Sequence, residues 1–288
     1  MAMYTNLSPG AIGIRGLDLE QSLDLAKDAG YGGLQVNLGA VQKLAEEKSI
    51  DHVKELWSKR GLRMGGSGLP VNMRGSDAEY YESLSRLPAI AKFAAEIGVD
   101  GFTTVIRGWD DQMPFKENWD FHVKRLRLAG EIMADYGHSI GLEFIGPRTS
   151  RASHKYGFVY TMDGMLGLAA AAGTGNIGLL LDFWHWYTCR ATLDDLRHLS
   201  REDIVHVHIN DAPAGIDPDD QIDNVRALPG ETGVIPLVEI VKIVDQLGYD
   251  GPVTPEPFSQ KLREMTPMEA ARTVSDMLKR IWQEAGLA

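Results

Sequence analysis

Residues 177–211 decide the fold: Ile177-Gly-Leu-Leu-Leu-Asp182-Phe-Trp-His185 is followed, about twenty residues later, by Ile204-Val-His206-Val-His208-Ile-Asn-Asp211. Each half is a short apolar run that stops at a ligand-type side chain, the pattern of a strand buried on both faces of a parallel sheet. Asp182 closes the first run and His208 nearly closes the second. Two comparable runs flank them, Ile140-Gly-Leu-Glu143-Phe-Ile and Pro252-Val-Thr-Pro-Glu256-Pro. Four consecutive strands thus deliver Glu143, Asp182, His208 and Glu256 to their C-terminal ends. A carboxylate-rich set with one imidazole suits one divalent ion of the Mn2+, Co2+, Mg2+ or Zn2+ class.

The same rhythm extends in both directions. Ala11–Ile14 reads as a first strand, Gly33–Val36 as a second, Leu62–Gly66 as a third and Phe102–Ile106 as a fourth. Between them Leu19, Leu23, Ala26 and Ala29 recur at helical spacing before Gly30, and Ile50, Val53 and Trp57 before Gly61. Ser76 with Glu79 forms a capping box for a long helix carrying Leu84, Leu87, Ala91 and Ala94. Later helices run from Leu126 to Tyr136, Met162–Ala172 behind Thr161, a short one behind Thr192 and Asp195, Ile235 to Val244, and a last one behind Thr266-Pro267. Eight strands alternating with eight helices predict a (β/α)8 barrel, one domain over residues 1–288. A doubly wound sheet for dinucleotides carries Gly-x-Gly-x-x-Gly after its first strand, and Gly65-Gly-Ser-Gly68 lacks that spacing. The irregular Asp211–Gly233 stretch follows the His208 strand and reads as an active-site cover.

Barrel side chains alternate between lumen and helix layer. Glu143, His206, His208, Thr254 and Glu256 therefore face the lumen, with His206 one layer deeper than His208 as a satisfied histidine. Each residue alone fits an ordinary buried group paired with arginine or a backbone carbonyl. Four together do not, because buried carboxylates repel and need a cation between them. His185 lies on the loop leaving the Asp182 strand, placed to touch substrate rather than metal. Trp184, Trp186 and Tyr187 fit a sugar-pocket wall or plain packing equally, while Arg148, Arg151 and His154 fit a solvated loop.

Composition excludes several classes. With 29 Lys plus Arg against 40 Asp plus Glu the net charge is −11, which disfavours nucleic acid and anionic membranes. The single cysteine, Cys189, leaves no intrachain disulfide and fits a reducing cytoplasm. The first residues show no signal-peptide pattern and no apolar run reaches the ~20 residues of a membrane span.

The motifs Gly141-Leu-Glu143-Phe, Leu181-Asp182-x-x-His185, His206-Val-His208-Ile-Asn-Asp211, Arg226-x-Leu-Pro-Gly230-Glu-Thr-Gly233 and Pro255-Glu256-Pro resemble those of the xylose isomerase-like barrels. The resemblance is nearest to the branch with inosose isomerase and the ketose 3-epimerases, and is specific from about Gly141 to Phe258. It implies Glu143, Asp182, His208 and Glu256 as metal ligands, with His185 and Arg226 holding substrate oxygens. Thr232 and the prolines around Glu256 depart from the family pattern and bear on the substrate more than on the metal. The implied activity is isomerisation or epimerisation of an unphosphorylated keto-sugar or inosose through a metal-stabilised enediolate, with Glu143 and Glu256 as the acid/base pair. A dehydratase on the same site is the alternative. A nuclease barrel needs extra histidines and a basic face, and a purely sugar-binding barrel needs no paired glutamates. The acidic loop carrying Asp211, Asp217, Asp219, Asp220 and Asp223 argues against a phosphate on the substrate. Barrels of this kind commonly assemble as dimers or tetramers, so a homo-oligomer is compatible with the resemblance.

Overall fold

The periodic segments become strands and helices in alternation. The computed structural model describes residues 2–99 and 101–287 of the 288. Its main sheet is parallel at every pairing and has nine segments in the order Arg63–Met64, Gly33–Leu34, Tyr4–Leu7, Pro252–Pro255, Ile204–Ile209, Ile177–Asp182, Ile140–Phe144, Phe102–Ile106 and Ser67–Gly68. Only Gly65 and Gly66 separate the first and last of these in the chain. They are two parts of one bent stave, so the sheet's edges are joined through the backbone and eight staves complete the (β/α)8 barrel. The bend needs glycine: a Cβ at Gly65 would strike the Asn6 amide and one at Gly66 the His206 ring.

Several N-terminal expectations are corrected. The first strand is Tyr4–Leu7, not Ala11–Ile14, where Gly10–Ile12 forms a 3-10 turn ended by left-handed Gly13. Asn6 breaks the apolar pattern because it is a lumen residue, donating to Thr254 Oγ1 at 3.0 Å. The helix Leu38–Glu47, capped by Asn37, also lies where no helix is expected. The second and third strands are shorter than read, Gly33–Leu34 and Arg63–Met64.

Elsewhere the caps behave as the sequence indicates. Ser76 and Glu79 close a reciprocal box before Asp77–Ile97, Thr161 caps Met162–Ala172, and Thr266 with Glu269 opens Pro267–Ala285. Each such cap contributes ~1 kcal/mol. The last helix buries Ala271, Val274, Leu278 and Ile281 against the barrel. Leu142, Phe144, Val207 and Ile209 fill the layer between strands and helices. Among the described residues no helix is long and apolar enough to cross a membrane.

Candidate metal centre

The sequence of each strand end fixes where its ligand-type side chain points. In Ile204–Ile209 the register slips between Ile204 and His206, a bulge at Val205. Such an extra residue re-aims the side chains beyond it, and here it turns both His206 and His208 into the lumen. His208 then lies level with Asp182 on one side and Thr254 on the other. His206 sits a layer below, its Nε2 2.9 Å from Thr254 Oγ1. Burial holds His206 neutral, well below its ordinary pKa, and the adjoining His208 pushes the same way.

Glu143, Asp182, His208 and Glu256 each present one donor atom, and these all lie within 4.8 Å of one another. His208 Nδ1 stands 3.5 Å from Glu143 Oε1, 3.8 Å from Asp182 Oδ2 and 3.3 Å from Glu256 Oε2. Glu143 Oε1 and His208 Nδ1 are buried without a hydrogen bond. Buried polar atoms rarely stay unpaired, and metal–donor bonds of ~2.0–2.2 Å place neighbouring donors ~3–4 Å apart. The donor set therefore fits a divalent ion.

Asp182 divides its two oxygens between tasks. Oδ1 accepts from the backbone N–H of Trp184 at 2.7 Å and of His185 at 3.3 Å, capping Phe183–Thr188. Oδ2 faces His208 and accepts from Arg226 Nη1 at 2.8 Å. Burial opposes the Asp182 charge, but Arg226, His185 and His208 outweigh it and hold the carboxyl below the usual range.

Arg226 arrives from the Asp211–Gly233 loop and is buried. Its Nη1 also donates to Glu256 Oε2 at 3.3 Å, its Nη2 donates to Asp223 at 3.0 Å, and Trp184 and Phe258 flank its plane. Trp184 and Trp186 are core residues, and Trp184 packs against Arg226. His185 Nδ1 faces the Gly146 N–H donor at 3.3 Å, and a neutral ring that accepts there carries its proton on Nε2. That Nε2 stands 3.2 Å from Arg226 Nη2. In that tautomer two donors converge on one point beside the centre, where an oxygen acceptor would satisfy both.

Two positioning residues were not singled out from the sequence. Asn210 Oδ1 accepts from Glu256 N–H at 2.8 Å and locks the backbone of that glutamate. Asp211 is fully buried: Oδ1 accepts from Ala212 and Ile235 N–H at 2.8 and 3.0 Å, Oδ2 from Thr232 and Gly233 at 3.0 and 2.8 Å. It clasps both ends of the loop and is no repelling anion. Asp217 and Asp219 pair with Arg190, and Asp223 with Arg226, so most of the loop's acidity is neutralised internally. Asp211→Ala would strand four amides and is expected to cost about 3 kcal/mol. Urea unfolding measures the cost and limited proteolysis between residues 212 and 234 reports the loop. A loss below ~1 kcal/mol with an uncut loop would show that the clasp is dispensable.

Fold and donor set together define an α/β barrel with a carboxylate–imidazole centre at the C-terminal ends of its strands. The chain belongs to the xylose isomerase-like TIM barrel family, whose model matches residues 23–281. An inosose isomerase of Halalkalibacterium halodurans is 23% identical over 264 residues, 90% of this chain and 89% of its own. A xylose isomerase domain protein of Alicyclobacillus acidocaldarius superposes with a TM-score of 0.89 at 32% identity, over 99% of this chain and all 100% of that one. The IolI protein, crystallised with a zinc atom, superposes with a TM-score of 0.79 at 20% identity over 99% of both chains.

Proposed function

We propose that this protein is a divalent-metal-dependent isomerase or epimerase of a hydroxy-ketone, a keto-sugar or inosose that carries no phosphate. The observation that carries the proposal is the placement of two glutamates around one centre. Glu143 and Glu256 come from the outermost of four consecutive staves and approach His208 Nδ1 to 3.5 and 3.3 Å. The similarity to an inosose isomerase along 90% of the chain and the zinc atom in the IolI structure support the same reading. The loop after the His208 strand, near where barrels often hold a phosphate, has its Thr232, Gly233 and Ile235 amides already taken by the Asp211 carboxylate.

A divalent ion on the four donors supplies Lewis-acid stabilisation of negative charge on the substrate's neighbouring oxygens. The chain's own residues do the rest. One glutamate takes the proton from the carbon beside the carbonyl. If the other returns a proton to the opposite face, the carbon is inverted. If one carboxylate carries the proton between adjacent carbons, carbonyl and hydroxyl exchange places. His185 Nε2 and Arg226 Nη2 grip one substrate oxygen between them and orient that carbon, and Arg226 also draws charge from Asp182 and Glu256. In heavy water, a panel of inososes and ketoses is expected to include one that takes up deuterium beside its carbonyl, read by proton NMR.

His185→Ala and Arg226→Ala test the orienting role. Each is expected to keep its metal and to lose about 10²-fold in turnover, the scale of misplaced reacting groups. Stoichiometric metal loss in either variant would move that residue to the metal and sink the assignment.

A further inference from the structure

Two arginines at the barrel mouth are left without a carboxylate partner. Arg74 and Arg107 line one cavity with Val105, Ile145, Thr149 and Asp223. Of the carboxylates lining this cavity and an adjoining one that the two arginines share, Asp223 is taken by Arg226, Asp110 by the Gln112 and Met113 amides, and Asp111 by His154 and the Lys155 amide. Among the described residues neither Arg74 nor Arg107 enters an ion pair, a state they share with Arg127, Arg148 and Arg151 among others; what sets these two apart is that they line one cavity together.

Both guanidinium groups stand on rigid supports. Arg125, itself buried, donates from Nη1 to the carbonyls of Met73 and Gly75 at 3.1 and 2.8 Å, straddling Arg74. Its Nη2 pairs with Asp77 at 2.7 Å, and Ser83 Oγ accepts from Asn72 N–H at 2.9 Å. A buried arginine is thus committed to fixing the loop that presents an exposed one. Arg107 lies over the Trp109 ring at 5.0 Å, and that ring stacks on His154 at 3.3 Å. His154 is anchored in turn by Asp111 at 2.9 Å. Desolvation by its surroundings is the larger cause that lowers the Arg74 pKa and the Arg107 charge adds to it, so the two cations lie near enough to repel each other. An anion between them would relieve that repulsion.

Their place in the barrel links them to the centre. Val105 is the register partner of Glu143 in the neighbouring stave. Arg107 comes two residues later, ~7 Å further along the strand axis, on the side where barrels bind substrate. The backbone of Arg107 is thus set beyond the Glu143 level towards the mouth, so a group at one end of a substrate can meet Arg107 while the other end lies at the centre.

We propose that Arg74 and Arg107 form an anion subsite for a carboxylate at the far end of the substrate, whose hydroxy-ketone end meets the Glu143–Glu256 centre. The substrate class is then a keto-sugar acid or a carboxylated cyclitol ketone. This inference rests on the function proposed above. Planar guanidinium forks match a planar carboxylate through paired hydrogen bonds.

The test uses metal-loaded protein and three probes that differ only at carbon 6: D-fructose, D-fructuronate and D-fructose 6-phosphate, titrated calorimetrically. Wild type is expected to bind fructuronate at least ~10-fold more tightly than fructose, in keeping with charge-assisted bonds to two arginines. The R74Q/R107Q protein is expected to keep its metal and lose that preference. No preference in the wild type, or a preference that survives R74Q/R107Q, overturns the subsite. Tighter binding of fructose 6-phosphate through the same arginines overturns the carboxylate assignment. If the glutamine pair misfolds, R74K/R107K keeps the charge and loses the forks; an undiminished preference there also counts against the carboxylate fork. The metal centre is scored separately: a His208→Ala protein that holds its metal and still exchanges substrate protons defeats the proposed function and leaves the arginine result standing.

Discussion

Glu143→Gln and Glu256→Gln proteins are each expected to fold, to retain metal and to lose about 10²–10⁴-fold in turnover. Glutamine keeps the side-chain length and one oxygen donor, so the centre's packing survives. It has no basic oxygen that can take a proton at neutral pH. Glu143 is nearly enclosed while the Glu256 side chain is 20% exposed, so only Glu256 can trade protons readily with solvent. The two variants should therefore differ in heavy water. With epimerisation, Glu143→Gln should still wash deuterium into one epimer and fail on the other, while Glu256→Gln, left with the enclosed Glu143, should exchange far more slowly. With isomerisation through one carboxylate, one variant should lose all exchange and the other keep part of it. Turnover in either variant within about tenfold of wild type would remove that glutamate from the proton path. Active wild type with no solvent exchange under any condition would point to a hydride shift, and the two-carboxylate mechanism would fall.

The four donors were legible because four neighbouring parallel strands, each buried on both faces, all end on an ionisable side chain, which ordinary buried pairing explains for one strand but not for four. Glu143, Asp182, His208 and Glu256 interrupt apolar runs at the ends the barrel reserves for chemistry, and the structure brings those four together. The N-terminal third was harder to read for the opposite reason. Tyr4–Leu7 contains Thr5 and Asn6, so its lumen side looks like a loop, and the apolar turn at Ala11–Ile14 resembles a strand. Leu38–Glu47 carries a short apolar stripe of Leu38, Val41, Leu44 and Ala45, but a regular strand–helix alternation already has its helix at Ile50–Ser58 and leaves no place for an additional one. Asp211 could not be told from its acidic neighbours, because its role lies in backbone amides more than twenty residues away. Arg74 and Arg107 carry no periodic signal at all; their meaning depends on the absence of partners, which only a structure displays.

The other large effect is expected at His208. Removing the only imidazole among the four donors leaves three carboxylates around a position that now lacks its nitrogen ligand. Loss of an outer-sphere partner typically lowers metal affinity ~10–100-fold, and loss of a ligand itself should exceed that. His208→Ala is therefore expected to lose its metal on gel filtration, by mass spectrometry, and all measurable turnover with it. Metal content equal to wild type would refute the assignment of the centre. The metal-free proteins offer a second readout. Burial alone would make His208 hard to protonate, but Glu256, Asp182 and Glu143 reverse this and raise its pKa well above the ordinary value. A group whose folded pKa is raised lends stability that is fully present below its unfolded value of ~6.5 and lost as pH rises through the folded value. Chelated wild type should therefore melt at progressively lower temperature as pH climbs above ~6.5, while chelated His208→Ala lacks this contribution. Adding metal replaces the proton's positive charge with a larger one, so the slope in the wild type should flatten. Identical melting-temperature profiles for chelated wild type and His208→Ala would mean that His208 carries no proton in the metal-free state, and that Arg226 alone compensates the three carboxylates.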